Sequence, residues 1–295
     1  MKIFKNDQVL TFIQILLALF CLRFVSMSFL EEYIGMTQFN FLISLLGIIC
    51  IIFAGFYLYK IVLQEEFPDK NIIQNTERAY YYYIGLNALG VIISFFVADA
   101  LEKTYYFGFY LVIVAALYLY VTQWRKIILF DNIVLAFIIT YPIFLQSCFD
   151  LFPTLEVAKH VQAVDFVLNF ALLWFLLIWL LYFVRTILHD LIFIESDIQR
   201  GKKTLATQKG RLVGAVRTSI LVLLPLSIAV YITYLYSNVT EFLAFSIVGI
   251  ILPLILLIFK IKSSKTKEDF ITTKKIINVI IWLSAISIVT LTFAK

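Results

Sequence analysis

Charged residues are scarce in this sequence. Only 15% of its 295 residues are charged, whereas 62% are hydrophobic and the mean hydropathy is +0.97. A soluble domain of this length needs far more polar surface, so the composition excludes an ordinary soluble enzyme and predicts a membrane protein. The formal net charge of +5 is small, and no nucleic acid partner is needed to explain it.

Cysteine and histidine are also rare. The three cysteines, Cys21, Cys50 and Cys148, lie far apart inside apolar segments and have neither metal nor redox spacing. We interpret them as residues that fill the core. The two histidines are too few for a histidine-based metal site.

Long apolar runs dominate what remains. A helix needs roughly 20 mainly apolar residues to cross the hydrocarbon layer, and nine segments of the chain meet that requirement. The sequence therefore predicts an all-α, polytopic membrane bundle that forms a single domain over residues 1–295. The nine spans lie at about 8–30, 38–63, 79–101, 105–122, 133–153, 162–188, 212–236, 241–260 and 275–293.

The basic residues are distributed unevenly about these spans. Twenty of the 24 lysines and arginines lie on the side of the N-terminus. The positive-inside rule then predicts a cytoplasmic N-terminus, an external C-terminus and insertion in the cytoplasmic membrane. The predicted cytoplasmic connections are also the longer ones, and they carry nearly all the polar residues. A substrate with a charged head and an apolar tail suits such a face.

The richest polar segment runs from Arg185 to Leu205. Acidic residues at the end of an apolar helix are followed by Gly201 and two lysines. Carboxylates can hold Mg²⁺, whose remaining ligands are water and phosphate oxygens, and lysines can bind the same phosphate directly. The alternative interpretation is an ordinary solvated loop on a positive face.

This segment resembles the second acidic motif of UbiA-type intramembrane prenyltransferases. A second segment, residues 120–136, is similar to the family's Tyr-Ser…Leu-Lys…Gly-Asn…Val-Ala pattern and contains Arg125, Lys126 and Asn132. Nine spans with an internal N-terminus are likewise the layout of that family. The positions matched in the first segment are Arg185, Asp190, Glu195, Asp197, Gly201, Lys203, Thr204 and Leu205.

The sequence differs from the family pattern at two places. The first acidic motif, expected after the second span, is missing, although Glu65, Glu66 and Asp69 keep acidic residues nearby. In the second motif, Phe193 stands where the middle carboxylate is expected. The remaining pair, Asp190 and Asp197, would lie about 10 Å apart along a straight helix, which is too far for one Mg²⁺ to bind both directly unless the helix bends.

The resemblance implies an isoprenyl diphosphate held by Mg²⁺ and basic residues, and transfer of its prenyl group to an aromatic or glycerol-type lipid acceptor. In that scheme Asp190 and Asp197 are catalytic and Arg185 orients them. The implied metal ligands are Asp190, Asp197, Glu195, Glu66 and Asp69. The implied substrate-binding residues are Arg125, Lys126, Lys202, Lys203, Arg78 and Asn132.

Two alternatives remain open from the sequence. The first is a UbiA-fold protein that binds a polyprenyl lipid or a partner without turnover, which the missing first motif favours. The second is a small transporter, although the chain shows no inverted repeat or paired helix breaks. Arg23, inside the first span, is a further candidate for function because an intramembrane arginine is costly when unpaired. It could instead pair with Glu31 or Glu32.

Overall fold

The chain forms a bundle of long helices in a computed structural model that describes residues 2–30, 34–68, 72, 73, 75–153, 161–199 and 201–294. Within these residues, nine helical stretches are long and apolar enough to cross a membrane, which confirms an integral, multi-pass membrane protein. They span residues 7–30, 38–66, 76–99, 104–122, 130–151, 164–192, 205–235, 240–263 and 267–293.

Several of these spans are built from more than one helical segment. The seventh span joins two α-helices, the eighth contains a π-helical turn at Ile247–Ile251, and the ninth ends in a 3-10 helix at Ile288–Ala294. The α-helices are α1 Lys2–Leu30, α2 Gln38–Glu66, α3 Thr76–Asp99, α4 Phe107–Thr122, α5 Phe130–Leu151, α6 Val161–Ile192, α7 Ile194–Gln199, α8 Leu205–Leu221, α9 Leu223–Leu235, α10 Thr240–Ser246, α11 Leu252–Ser263 and α12 Lys267–Ser287.

The helices reach further into the polar connections than the hydropathy of the sequence predicts. Residues 189–211 form the connection predicted between the sixth and seventh spans, and most of them belong to the end of α6, to α7 and to the start of α8. Thr204 caps α8 through a reciprocal bond with Thr207, and Thr266 caps α12 in the same way with Asp269. Such caps satisfy the free N–H groups of a first helical turn, so polar residues can be helical there.

Small residues let α2 and α3 pack closely. A Cβ atom added to Gly90 would lie 2.7 Å from Ile51 Cγ1 and 3.0 Å from the carbonyl oxygen of Gly47. A glycine at this point allows the two backbones to approach, as is common where membrane helices meet.

The most buried helices are α5 and α6, which pack against each other and against α1 and α12. Trp174 of α6 is 1% exposed, and its indole Nε1–H donates to the carbonyl oxygen of Ser284 in α12 at 2.8 Å. Because no water competes for hydrogen bonds inside a membrane bundle, such a bond ties α6 to α12. These buried helices bring their polar ends together at one end of the bundle.

Arg23 is a structural residue in this fold. Its guanidinium donates to the carboxylate of Asp150 at the end of α5 and to the carbonyl oxygen of Met36, and both charged side chains are buried. Gln146 also donates to Asp150. The partner is thus an acidic residue that the sequence did not single out, while Glu31 and Glu32 lie outside the described residues.

Candidate functional site

A buried charged cluster lies where α5 begins and α6 ends. Asp131 and Asn132 are in the first turn of α5, and Asp190 is in the last turn of α6. The Lys202 ammonium lies 2.8 Å from Asp131 Oδ2 and 3.2 Å from Asp190 Oδ1. Asn132 Nδ2 donates to the other Asp190 oxygen at 2.9 Å. We call these four residues the Lys202 cluster.

A bend after α6 brings Lys202 back over the helix end. The helix stops at Ile192, and α7 begins two residues later, so Asp190 and Asp197 do not lie on one straight helix. Gly201 then adopts a φ of 65°, which glycine tolerates without strain, and the Lys202 N–H donates to the carbonyl oxygen of Asp197 at 2.9 Å. The turn directs the lysine side chain toward the two carboxylates.

Lys202 remains charged in this setting. Burial disfavours the ammonium form, but Asp190 and Asp131 outweigh that effect and raise the pKa of Lys202 above its ordinary value of 10.5. Asp197 acts in the same direction. The side chain is still 32% exposed, so part of it reaches the surface while the ammonium contacts the two carboxylates.

Phe193 stands at the position where the UbiA pattern has a carboxylate, and its contacts are with aromatic and basic groups. Its ring centroid lies 4.5 Å from that of His189, and the Lys267 ammonium lies 5.7 Å from its centre. The residue therefore packs between an imidazole and a lysine of α12, and it adds no acidic group to the site.

A second charged group joins the end of α2 to the residues before α5. Arg125 Nη2 lies 2.5 Å from Glu66 Oε2, and Lys126 Nζ lies 3.0 Å from Glu66 Oε1. The Arg125 guanidinium also stands 5.6 Å from the centre of the Tyr59 ring. Tyr120 lies close to Tyr59 and also to Asp131 and Asp190 of the Lys202 cluster. The two charged groups are therefore neighbours.

Arg185 belongs to a buried polar chain on the other side of α6. Its Nε donates to Asn278 Oδ1 of α12 at 2.7 Å, and its guanidinium stands 5.3 Å from the centre of the Tyr182 ring. Gln14 of α1 donates to the carbonyl oxygen of Asn278 and accepts from the Tyr182 hydroxyl. Arg185 thus connects α1, α6 and α12. The role predicted for it, orienting the carboxylates, is not seen among its hydrogen bonds.

Of the predicted metal ligands, two are engaged elsewhere. Glu195 is exposed and pairs with Arg211 at 2.5 Å, so it does not face the Lys202 cluster. Its own backbone amide and Arg211 lower the pKa of the Glu195 carboxyl. Glu66 is bound by Arg125 and Lys126. Asp69 lies outside the described residues. Because these acids point to different partners, the predicted ligand set does not converge.

The residues present do not fit a magnesium ion. In the described part of the chain, no group of three histidine, cysteine, aspartate or glutamate side chains is placed to hold a metal. Both oxygens of Asp190 are engaged, by Lys202 and Asn132. Asp131 keeps one buried oxygen, Oδ1, without a hydrogen bond, but its Oδ2 lies 2.8 Å from the Lys202 ammonium, so a cation already stands between the two carboxylates.

Two of the predicted phosphate-binding residues face outward. Lys203 and Arg78 are both exposed, and Arg78 lies in the first turn of α3, where its N–H donates to Asn75 Oδ1 at 2.9 Å. Lys126 is exposed over 65% of its side chain. We call Lys126, Lys203 and Arg78 the basic rim, and among the described residues none of the three has a hydrogen bond or ion pair with the Lys202 cluster.

An apolar groove of about 420 Å³ runs between α4, α5 and α6. Trp124 and Phe130 both line it. Trp124 directly precedes Arg125, and Phe130 directly precedes Asp131. Phe137 and Trp179 continue the wall along the span. The groove therefore begins beside the charged residues and extends into the apolar part of the bundle.

Comparisons with known proteins identify this architecture. A structure described as digeranylgeranylglyceryl phosphate synthase in membranes superimposes with a TM-score of 0.68 at 15% identity, over 99% of this chain and 95% of that one. A UbiA homologue from Aeropyrum pernix K1, in an apo structure, gives a TM-score of 0.60 at 14% identity, over 89% of this chain and 94% of that one. The chain has the UbiA-type fold. No protein-family model and no curated protein matches its sequence.

Within the UbiA-type fold, several residues of this end were missed from the sequence. Asp131 is the principal one, and its position next to Asn132 at the start of an apolar helix was a usable signal. Tyr120 opens the matched segment 120–136 but was given no role, and Tyr59 and Asn278 carried no such signal, because a tyrosine or asparagine near a membrane interface is common. Only the packing of separate helices brings them to the charged residues.

Proposed function

We propose that this protein is a UbiA-like prenyltransferase that binds a prenyl diphosphate at the charged end and transfers the prenyl group to a hydrophobic acceptor. The observation that carries the proposal is the buried Lys202 cluster inside a UbiA-type fold, where Asp131 directly follows Phe130, a residue that lines the apolar groove. Charged groups inside a membrane bundle are costly, and they usually mark a functional site.

The shape of the site suits an amphiphile. The groove accepts an apolar chain, and the rim of exposed lysines accepts an anionic head. We assign the head group to Lys126 and Lys203 at the rim, with Arg125 and Lys202 further in and Asn132 as a polar neighbour. Arg78 lies on the same rim. Because Lys202 offsets part of the charge of Asp131 and Asp190, these carboxylates repel the head group less.

The proposed reaction is a substitution at the first carbon of the prenyl chain. The C–O bond to the diphosphate breaks, and its electron pair leaves with the diphosphate. The basic side chains stabilise the negative charge of that leaving group. The allylic cation forms a new bond to a nucleophilic carbon or oxygen of the acceptor, an aromatic or glycerol-type lipid, which releases one proton to solvent. No step in this scheme uses a metal ion, because the described residues do not fit one.

A second candidate keeps the ligand and omits the reaction. In it, the protein binds a polyprenyl lipid phosphate without turnover. The specific observation in its favour is the loss of the first acidic motif, whose place is taken by the pairing of Glu66 with Arg125 and Lys126. Those three side chains satisfy one another and present no free carboxylate.

The sidedness of the protein is part of the proposal. We assign the charged end to the cytoplasmic face of the cytoplasmic membrane, since that end carries most of the basic residues. Prenyl diphosphates are water-soluble at the head, so a cytoplasmic mouth would receive them directly.

The test is incubation of the purified protein with labelled prenyl diphosphates of several chain lengths and a panel of hydrophobic acceptors. We expect a covalent product whose formation is lost in Asp190→Asn and in Asp131→Asn. The control is Asp99→Asn, which should keep the activity, because Asp99 is an exposed acid at the end of α3 that lies away from Arg78. Binding without product in the wild type would favour the second candidate. If the wild type shows no binding and forms no product, both candidates are ruled out.

A further inference from the structure

The Lys202 ammonium stands where two buried carboxylates converge. Asp131 comes from the start of α5, Asp190 from the end of α6, and they are 3% and 4% exposed. Their nearest oxygens lie 2.8 and 3.2 Å from the same nitrogen. A cation there stabilises both ionised carboxylates, because two uncompensated carboxylates in a buried position repel each other and lose hydration.

The backbone around Lys202 is held from both sides. Its N–H donates to the carbonyl oxygen of Asp197 at 2.9 Å, and its carbonyl oxygen accepts from the Thr207 hydroxyl at 3.1 Å. Thr207 in turn belongs to the cap of α8. The position of the lysine therefore follows from the cap and the Gly201 turn, and the ammonium is directed to the carboxylates without help from a ligand.

We propose that Lys202 is a resident cation that takes the place of a divalent ion, so that the charged end binds an anionic head group without Mg²⁺. An ammonium and a metal ion cannot both occupy the point between Asp131 and Asp190. The exclusion of a divalent ion does not depend on prenyl transfer. The metal-free binding of a diphosphate rests on the proposed function.

Removing the ammonium has a defined consequence. In Lys202→Met the side chain keeps much of its length and apolar stem, but Asp131 and Asp190 lose their shared cation. The two carboxylates then form an acidic pair of the kind that attracts divalent cations. Asn132 still donates to Asp190 and helps to keep the pair in position. The variant should acquire the metal requirement that the wild type lacks.

The experiment is a titration of purified protein with Mn²⁺, followed by the electron paramagnetic resonance signal of the free ion. We expect no stoichiometric binding to the wild type or to Lys209→Met, the matched control at an exposed lysine of α8. Lys202→Met should bind one Mn²⁺ at least about tenfold more tightly than the wild type, since carboxylate pairs bind such ions. The double variant Lys202→Met with Asp190→Asn should lose that gain.

A second measurement uses only the wild type, so the proposal can still be tested if Lys202→Met does not fold. Binding of inorganic diphosphate should be the same in EDTA and in Mg²⁺. The proposal is overturned if the wild type binds Mn²⁺ stoichiometrically, if diphosphate binds only with Mg²⁺, or if a folded Lys202→Met gains no site. Absence of prenyl transfer together with the expected Mn²⁺ results would count against the proposed function alone.

Discussion

Arg23 and Asp150 form a buried ion pair between helices that lie far apart in the sequence. Arg23 is in α1 and Asp150 is at the end of α5, 127 residues later, and their side chains are 5% and 1% exposed. The Met36 carbonyl oxygen accepts a further hydrogen bond from Arg23, and Gln146 donates one to Asp150. An arginine that the sequence marks as a candidate for function thus has a structural partner.

We expect Arg23→Leu to destabilise the protein by about 3–5 kcal/mol, because it leaves the Asp150 carboxylate buried without its partner. Thermal unfolding in detergent measures the loss. The double change Arg23→Leu with Asp150→Leu should recover much of it, since neither charge then remains. Arg217→Leu, at an exposed position, is the matched control. Equal instability of the single and double variants would show that the pair is not the cause.

The contact between α2 and α3 allows a comparison of two glycines in one helix. A Cβ atom at Gly90 would meet Ile51 and the Gly47 carbonyl, whereas nothing lies within 4 Å of a Cβ atom at Gly85. Gly90→Val should therefore lower stability by about 1–3 kcal/mol, the usual result of forcing atoms into a packed site. Gly85→Val should leave the thermal unfolding midpoint nearly unchanged. A similar loss in both variants would rule out the close approach as its source.

Glu195 should not be a metal ligand, and its effect should be small. Its carboxyl pKa is lowered in the folded chain, so the stability it adds is present above the unfolded pKa and lost as the pH falls through the folded pKa. Because the ion pair with Arg211 is exposed, Glu195→Gln should change stability by less than about 1 kcal/mol at neutral pH. Unfolding midpoints at neutral and acidic pH test this. A strong effect of Glu195→Gln on the Mn²⁺ binding that Lys202→Met gains would contradict our assignment.

The proposed orientation can be tested with single cysteines. Lys203 and Asn238 are exposed at opposite ends of the span that α8 and α9 form. In a background without Cys21, Cys50 and Cys148, Lys203→Cys should react with an impermeant thiol reagent only in inside-out vesicles, and Asn238→Cys only in intact cells. The reverse pattern would place the charged end outside.

Much of the fold could be predicted because the apolar runs are local features. All nine predicted spans overlap the nine found in the described residues. The ends were less well predicted, and α12 begins at Lys267 although its apolar run was expected to start near residue 275. Hydropathy detects where a helix is apolar, whereas a cap such as Thr266 with Asp269 decides where the helix begins.

The candidate site was predicted only in part. Asp190, Asn132 and Lys202 were named from the pattern, and they meet in one cluster. Asp131 was missed, and Glu195 and Glu66 were assigned to a metal although they bind Arg211 and Arg125. Residue types in a pattern indicate which groups are near the end of a helix, but they do not indicate which neighbour each side chain faces.

The sequence by itself determined that the chain is a membrane bundle of long helices with its polar residues concentrated at one end. Composition and apolar length suffice for that, since each span must by itself be long and apolar enough to cross the bilayer and must pair its own backbone hydrogen-bonding groups. The tertiary structure decided which charges meet. Lys202 reaches Asp131 and Asp190 because α5 packs on α6 and the chain turns back at Gly201. Ion pairing falls steeply with distance, so it depends on contacts between helices that no single segment encodes.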